Sequence, residues 1–387
     1  MKIKRYKIKI RRINTKIKYS DIIAFLFIIA YLVRGLTAEY ESAGFISQVK
    51  YIVGMICCAF AMYGTLSIRK KERVFRKELT SILLVVLAFG ILSCGYSISS
   101  NRFCYRTIQE LIFMAFPVLI AYGILNQLSA KKIEKCMSYI LYISIICYVI
   151  QLGMNFNQLV IAFAGMKFND SYSALESSSF AGISIALAIY FLYYRSNKLS
   201  LVLSVLFVIM TFKRLAVVFV IFLLLFPRIT RKDTEINRYL LLLTKLGFVV
   251  GTLMVFVLFI PENVTYILNN YGIDLEKFTM TRTYRFNLLY NSNFTSAGLG
   301  STTEYLLSHY GIGLELELIR LRYEVGILGL IIFVNNYFNI VKKNRYCYIV
   351  MVYLFLNFLT SHSLADVFGW TIIFTTIGSI LYKNEKV

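Results

Sequence analysis

Apolar residues run along this chain in blocks of membrane-spanning length, broken by short basic connections and by one long polar interval. The blocks fall near 21–37, 46–67, 79–98, 108–125, 136–153, 178–194, 199–212, 215–227, 239–260, 319–340, 346–361 and 366–382. A helix that crosses a bilayer needs roughly 20 mostly apolar residues. The pattern therefore predicts an all-α polytopic membrane protein, about 12 transmembrane helices in a single integral membrane domain over 1–387. Within 199–227 only Lys213–Arg214 separates two apolar runs. The polar interval begins at Pro261 and reaches to about Arg322, so a large loop, 261–318, lies between helices 9 and 10. Long loops in compact proteins are usually functional or disordered. This one has no low-complexity tract and many Tyr, Leu and Phe, which suits a folded cap over a membrane-embedded site.

Composition supports the membrane reading and charge orients it. The chain is 58% hydrophobic and 16% charged, against about 25% charged in soluble domains. Residues 1–19 carry nine Lys or Arg and no acid. Such an arm suits either nucleic acid or the anionic inner leaflet. The rest of the chain decides for the membrane: the segments alternating with 1–19 (68–78, 126–135, 195–198, 228–238, 341–345 and 383–387) bring the total to 29 of the 42 Lys and Arg. That is the positive-inside distribution. It predicts cytoplasmic termini, a basic cytoplasmic N-terminus over 1–19, an extracytoplasmic 261–318 and no nucleic-acid partner. Seven scattered Cys show no CxxC and no Cys/His ligand spacing, so no disulfide framework, metal or cofactor is expected. No internal repeat is visible and no span carries a carboxylate relay, which counts against a transporter. Abundant Lys, Ile, Asn and Tyr with three Pro and one Trp suit an AT-rich bacterial genome, hence the bacterial cytoplasmic membrane.

The other 13 basic residues, except Lys245, fall on the outer side or at outer span ends, against that bias. Snorkelling to the interface suits Arg34, Lys50 and Lys245. It suits the large loop and the helix after it less well, with Lys277, Arg282, Arg285, Arg320 and Arg322. Arg pairs bidentately with phosphate, so this cluster suits a lipid bearing phosphate groups. Lys213–Arg214 reads either as a tight outer turn or as a fixed cation pair for a phosphate. In ELELIRLRYEVG (315–326), Glu317, Arg320 and Glu324 share a helix face at i,i+3 and i,i+4. One reading is a salt-bridged interfacial helix. The other is a carboxylate base among anion-binding guanidiniums. Gly298 and Gly300 in GLGS permit a tight turn, and Gly326 and Gly329 read as a helix-packing surface. His309 and His362 are the only histidines, and His309 is a candidate base.

TFKR (211–214) after an apolar run, a large penultimate outer loop, and L-x-x-L-x-x-E-x-G-I-x-G-L over 318–330 together resemble the O-antigen ligase / Wzy-type oligosaccharide repeat-unit polymerase superfamily. The architectural likeness covers most of the chain, and the residue-level likeness is confined to 211–226 and about 282–331. The resemblance implies a metal-independent membrane glycosyltransferase acting on polyprenyl-diphosphate-linked oligosaccharide to build capsule, exopolysaccharide or O-antigen. It also implies a flippase and a chain-length regulator of the same pathway as partners. Arg214 matches the family's Arg after the apolar run, and Arg282 or Arg285 its first loop Arg. Glu315 stands where the family often has His, and His309 lies six residues too early. The expected catalytic set is thus Arg282, Arg285, Glu315, Arg322 and His309, with Arg214, Lys213 and Arg320 binding substrate. A ligase of the same superfamily, or a flippase for lipid-linked sugar, are the alternative activities.

Overall fold

The computed structural model describes residues 18–38, 44–165, 175–229, 233–361 and 364–383. Most of the basic N-terminal arm, Lys167 and His362 lie outside the described residues. The described residues are 80% helix, with no strand among them. Among the described residues seven helices are long and apolar enough to cross a membrane: α1 (Tyr19–Leu36), α2 (Gly44–Leu66), α3 (Arg76–Ser100), α4 (Arg106–Gln127), α5 (Ala130–Leu152), α10 (Arg238–Leu258) and α15 (Glu317–Val341). Between α5 and α10 lie α6 (Phe156–Ala164), α7 (Ser178–Tyr194), α8 (Lys198–Met210) and α9 (Arg214–Ile229); α16 (Arg345–Phe358) and α17 (Val367–Leu381) end the chain. All of these except α6 are shorter apolar helices. Together the long and the shorter apolar helices match the apolar blocks of the sequence one for one. In hydrocarbon every backbone N–H and C=O must be bonded within its own segment, which is why these blocks close as helices. Polar residues between blocks cap them: Ser129, Ser177, Asn197, Asn237, Asn344 and Asp366 each accept from a backbone N–H of the following turn.

Helix α7 is apolar on every face and buried from Phe180 through Tyr193 apart from Gly182, as expected of a helix with no polar stripe. It packs against α17, which packs in turn against α4. Around them Phe333, Tyr337, Phe355, Phe358, Trp370 and Phe374 form a continuous aromatic core. By contrast α10 is only 11% buried and α3 22%, against 61% for α4. Their outer faces present Leu84, Leu87, Leu243, Leu246 and Met254, the character of a lipid-facing surface. Lys245 on α10 does not reach for an interface: its Nζ donates to Asn335 (2.8 Å) and Asn339 (2.7 Å) of α15.

The polar interval is folded. It holds α11 (Pro261–Tyr271), α12 (Leu275–Phe278), α13 (Arg282–Asn291) and α14 (Ser301–Tyr310), gathered over a small core that includes Phe286, Leu289, Leu306 and Leu316. The GLGS turn docks this cap onto the membrane helices. Gly298 (φ 107°) and Gly300 (φ 84°) are left-handed, and a Cβ on them would lie 2.7 Å from Ser93 and 2.9 Å from Arg106. Leu299 accepts from Thr107 Oγ1 at 2.7 Å and its N–H donates to Ser93 Oγ at 3.0 Å. The glycines therefore serve close packing on α3 and α4. Gly326, expected to be packing surface only, breaks α15: its φ of 73° and ψ of −176° are non-helical, a conformation open essentially to Gly alone. The kink separates the first two turns, which carry the charged face, from the apolar remainder.

Candidate functional site

Two strained turns bring distant basic residues together. Between α8 and α9, Phe212 is left-handed (φ 49°), a costly conformation for a bulky side chain. The turn is braced by Tyr148, whose hydroxyl lies 3.0 Å from Met210 O and 2.6 Å from Leu175 O, and by Ser184 against Thr211 at 3.1 Å. It leaves Lys213 and Arg214 at the head of α9. Before α13, Met280 (φ 52°) and Thr281 (φ 66°) are both left-handed. They start the helix at Arg282 and set Arg285 one turn on, on the same face.

Glu315, in the link from α14 to α15, is held by both arginines. Its Oε2 lies 3.3 Å from Arg282 Nη2 and its Oε1 2.9 Å from Arg285 Nη1, which also donates to Gly313 O at 2.9 Å. Arg282 Nη1 donates to Thr279 O at 3.1 Å. Lys213, Arg214, Arg282, Glu315, Glu176 and Asn357 line a cleft of about 390 Å³. Arg285, Lys277, Asp274 and Glu276 extend it into a wider groove of about 840 Å³ over α12 and α13. Burial pushes the Lys213 ammonium below the ordinary lysine range, while the carboxylates of Glu176, Asp366 and Glu315 pull it back up. The arrangement offers a solvent-reachable carboxylate, guanidiniums fixed in direction, and a half-buried ammonium. It can accept a proton and stabilise a developing anion in one place.

The other sequence candidates lie elsewhere. Arg320 is fully enclosed. Its Nε donates to Glu317 at 3.0 Å, Nη1 lies 3.2 Å from Glu324, and Nη2 lies 3.4 Å from Glu110 of α4. It ties α15 to α4, and it lines neither the cleft nor the groove. Arg322 lies over the Phe256 ring, 5.4 Å from its centre, beside the small core of the cap. His309 stacks on Tyr305 at 4.3 Å and faces a separate pocket of about 70 Å³ with Arg102, Cys104 and Glu304.

Sequence reasoning missed Glu176, which sits directly before α7 in a connection with no charge pattern of its own. It also set aside Arg34, Lys50 and Arg106. These line, with Lys213 and Asp366, a second chamber of about 460 Å³. Arg34 and Lys50 are only 5% and 6% exposed, so they do not reach out to the interface. Their placement against the positive-inside bias was the signal that pointed to them. Among the described residues no group of three His, Cys, Asp or Glu is arranged to hold a metal. Comparison of the chain with family models, curated proteins and solved structures gives no match.

Proposed function

We propose that this protein is a polysaccharide repeat-unit polymerase of the Wzy type, a membrane glycosyltransferase joining polyprenyl-diphosphate-linked oligosaccharides at the outer face of the bacterial cytoplasmic membrane. The observation that carries the reading is the Glu315 carboxylate clamped by Arg282 and Arg285 at the edge of a cleft also lined by Lys213 and Arg214. In the transfer, a sugar hydroxyl of the acceptor attacks the anomeric carbon of the donor. A new glycosidic C–O bond forms, the C–O bond to the carrier diphosphate breaks, and the electron pair leaves with the diphosphate. Glu315 takes the hydroxyl proton, and the guanidiniums with Lys213 stabilise the growing negative charge. Holding both reactants in one cleft supplies the proximity that such a transfer needs.

The architecture is compatible with that location. In this reading the seven long and five shorter apolar helices all cross the membrane, both termini are cytoplasmic and 261–318 caps the outer side. Helix α8 has 13 residues and so rises about 20 Å, short of the roughly 30 Å hydrocarbon core. In this reading the Lys213 turn is recessed below the outer surface and opens into the polar cleft rather than standing out in solution.

A strain lacking the protein tests the reading. A polymerase defect leaves single repeat units on the lipid carrier at the cell surface. Absence of any surface sugar would mark a flippase, and polymer stranded on the carrier would mark a ligase.

A further inference from the structure

Beyond the wall it shares with the cleft at Lys213, the second chamber takes no part in the transfer just described. We propose that it is a separate phosphate-class anion site, which holds the diphosphate of the second lipid-linked substrate while the Glu315 cleft holds the one whose bond breaks. The proposal rests on the polymerase reading for the identity of its ligand, and on geometry for the site itself.

Cationic side chains from four places in the chain converge there: Arg34 of α1, Lys50 of α2, Arg106 of α4 and Lys213 of the α8–α9 turn. The first three are held in direction. Arg34 Nη2 donates to Ser179 O at 2.7 Å, and its guanidinium lies over Phe180 at 5.9 Å. Lys50 Nζ lies 5.3 Å from the centre of the Tyr51 ring. Arg106 Nε contacts Glu110 at 3.3 Å, and Glu110 in turn meets the buried Arg320. Asp366, a carboxylate in the lining, is locked in place. It accepts from Gly369 N–H at 3.1 Å, and a Cβ added to Gly182 or Gly369 would lie 2.0 Å or 2.3 Å from its Oδ2. With no room to swing, it is poorly placed to act as a base, which suits binding without chemistry. Rigid guanidinium and ammonium donors around a partly desolvated cavity match a multiply charged phosphate oxyanion far better than a neutral sugar.

The chamber also adjoins the cleft. Lys213, Ser178 and Asn357 line both, so anions in the two spaces would lie on either side of Lys213. The 840 Å³ groove above α12 and α13 gives a glycan room to turn from its own diphosphate towards Glu315. Two tethered substrates would thereby meet at one carboxylate.

Calorimetric titration of the purified full-length protein in detergent with farnesyl diphosphate tests this, with inorganic diphosphate and farnesol in parallel. The wild type is expected to bind two equivalents of farnesyl diphosphate. Gln48→Glu with Gln109→Glu puts two near-isosteric negative charges in the chamber lining, and should weaken one of them by about tenfold or more. Arg282→Ala with Arg285→Ala should remove only the other. Ser47→Cys leaves every cation in place and gives a second readout, because farnesyl diphosphate should slow alkylation of the introduced thiol. Wild-type stoichiometry and affinity in the Gln48→Glu/Gln109→Glu protein, or a thiol in the Ser47→Cys protein that the ligand leaves unprotected, overturns the proposal. So does a site that binds farnesol as well as the diphosphate, since lipid would then be recognised rather than the anion. Displacement by inorganic diphosphate shows that the headgroup alone suffices, and supports it. If the Gln48-sensitive site binds normally while the arginine pair has no effect on either equivalent, the chamber stands and the transfer-site reading falls.

Discussion

At the scale of single residues, Glu315 is the centre of the candidate site, and it links two arginines that lie about thirty positions earlier in the chain. The chain order alone did not show that these three side chains meet; it showed only that each lies in the long polar interval. Conversely, the i,i+3 and i,i+4 spacing around Arg320 was legible, but its complete burial was not, because Glu110 arrives from α4. Arg282 and Arg285 expose about a fifth of their side chains, and ion pairs this open contribute at most about 1 kcal/mol to stability. Losing one donor to transition-state charge costs about 3–4 kcal/mol, or roughly a hundred- to thousandfold in rate. Arg282→Ala and Arg285→Ala should therefore reach the membrane in normal amount and leave single repeat units on the carrier. Unchanged long polymer in both would exclude them from the site. Lys213 adds a pH signature. Its ammonium form is disfavoured by burial, so as pH rises the positive charge is lost earlier than from an ordinary lysine, and activity falls with it. Arg stays protonated throughout, so Lys213→Arg should move the alkaline fall to higher pH in an in-vitro transfer assay. An alkaline limb identical in both proteins would show that Lys213 is not the titrating group.

At the scale of helices, the apolar blocks were legible because hydrocarbon-facing segments have no other way to satisfy their backbone. What interrupts those helices was not legible. TFKR reads as a simple turn, yet it requires a left-handed Phe212. Gly326 and Gly329 look alike in sequence, yet Gly329 sits in ordinary helix packed on Val325 and Leu92 while Gly326 supplies a kink. The kink lets the first turns of α15 aim Glu317, Arg320 and Glu324 inward without dragging the apolar remainder with them. A Cβ at Gly326 would be strained in its backbone and would lie 2.6 Å from Tyr96 Oη. Gly326→Ala should lower the thermal stability of the purified protein, by about 1–3 kcal/mol for the backbone alone. Adding Tyr96→Phe removes the clashing hydroxyl and should restore part of that loss; no restoration would mean the strain is wholly in the backbone. Arg320→Ala should be worse, about 3–5 kcal/mol, because it leaves Glu110, Glu317 and Glu324 buried with no guanidinium between them. Its signature is loss of protein from the membrane, unlike the loss of activity alone expected at Arg282 and Arg285.

At the scale of the molecule, the basic residues divide into two populations with opposite roles. Those in the connections 68–78, 126–135, 195–198, 228–238 and 341–345 share one face of the proposed topology, and the positive-inside bias accounts for them. Those at the other end line the two chambers and the groove, where Arg34, Lys50, Arg106, Lys213, Arg282 and Arg285 converge from separate stretches of the sequence. A bias that follows from membrane insertion thus makes the second population conspicuous, and the proposed site depends on its being outside. Cysteine labelling of intact cells checks this directly. Six of the seven native cysteines are buried and only Cys94 is exposed, so Cys94→Ser gives a quiet background for a membrane-impermeant maleimide without repacking the core. Asn291 at the end of α13 and Glu235 before α10 are both exposed positions. Asn291→Cys should be modified from outside the cell, and Glu235→Cys only after the membrane is permeabilised. The reverse pattern would place the cap and both chambers in the cytoplasm, where lipid-linked oligosaccharide awaiting polymerisation is not presented, and would remove the basis for the proposed transfer.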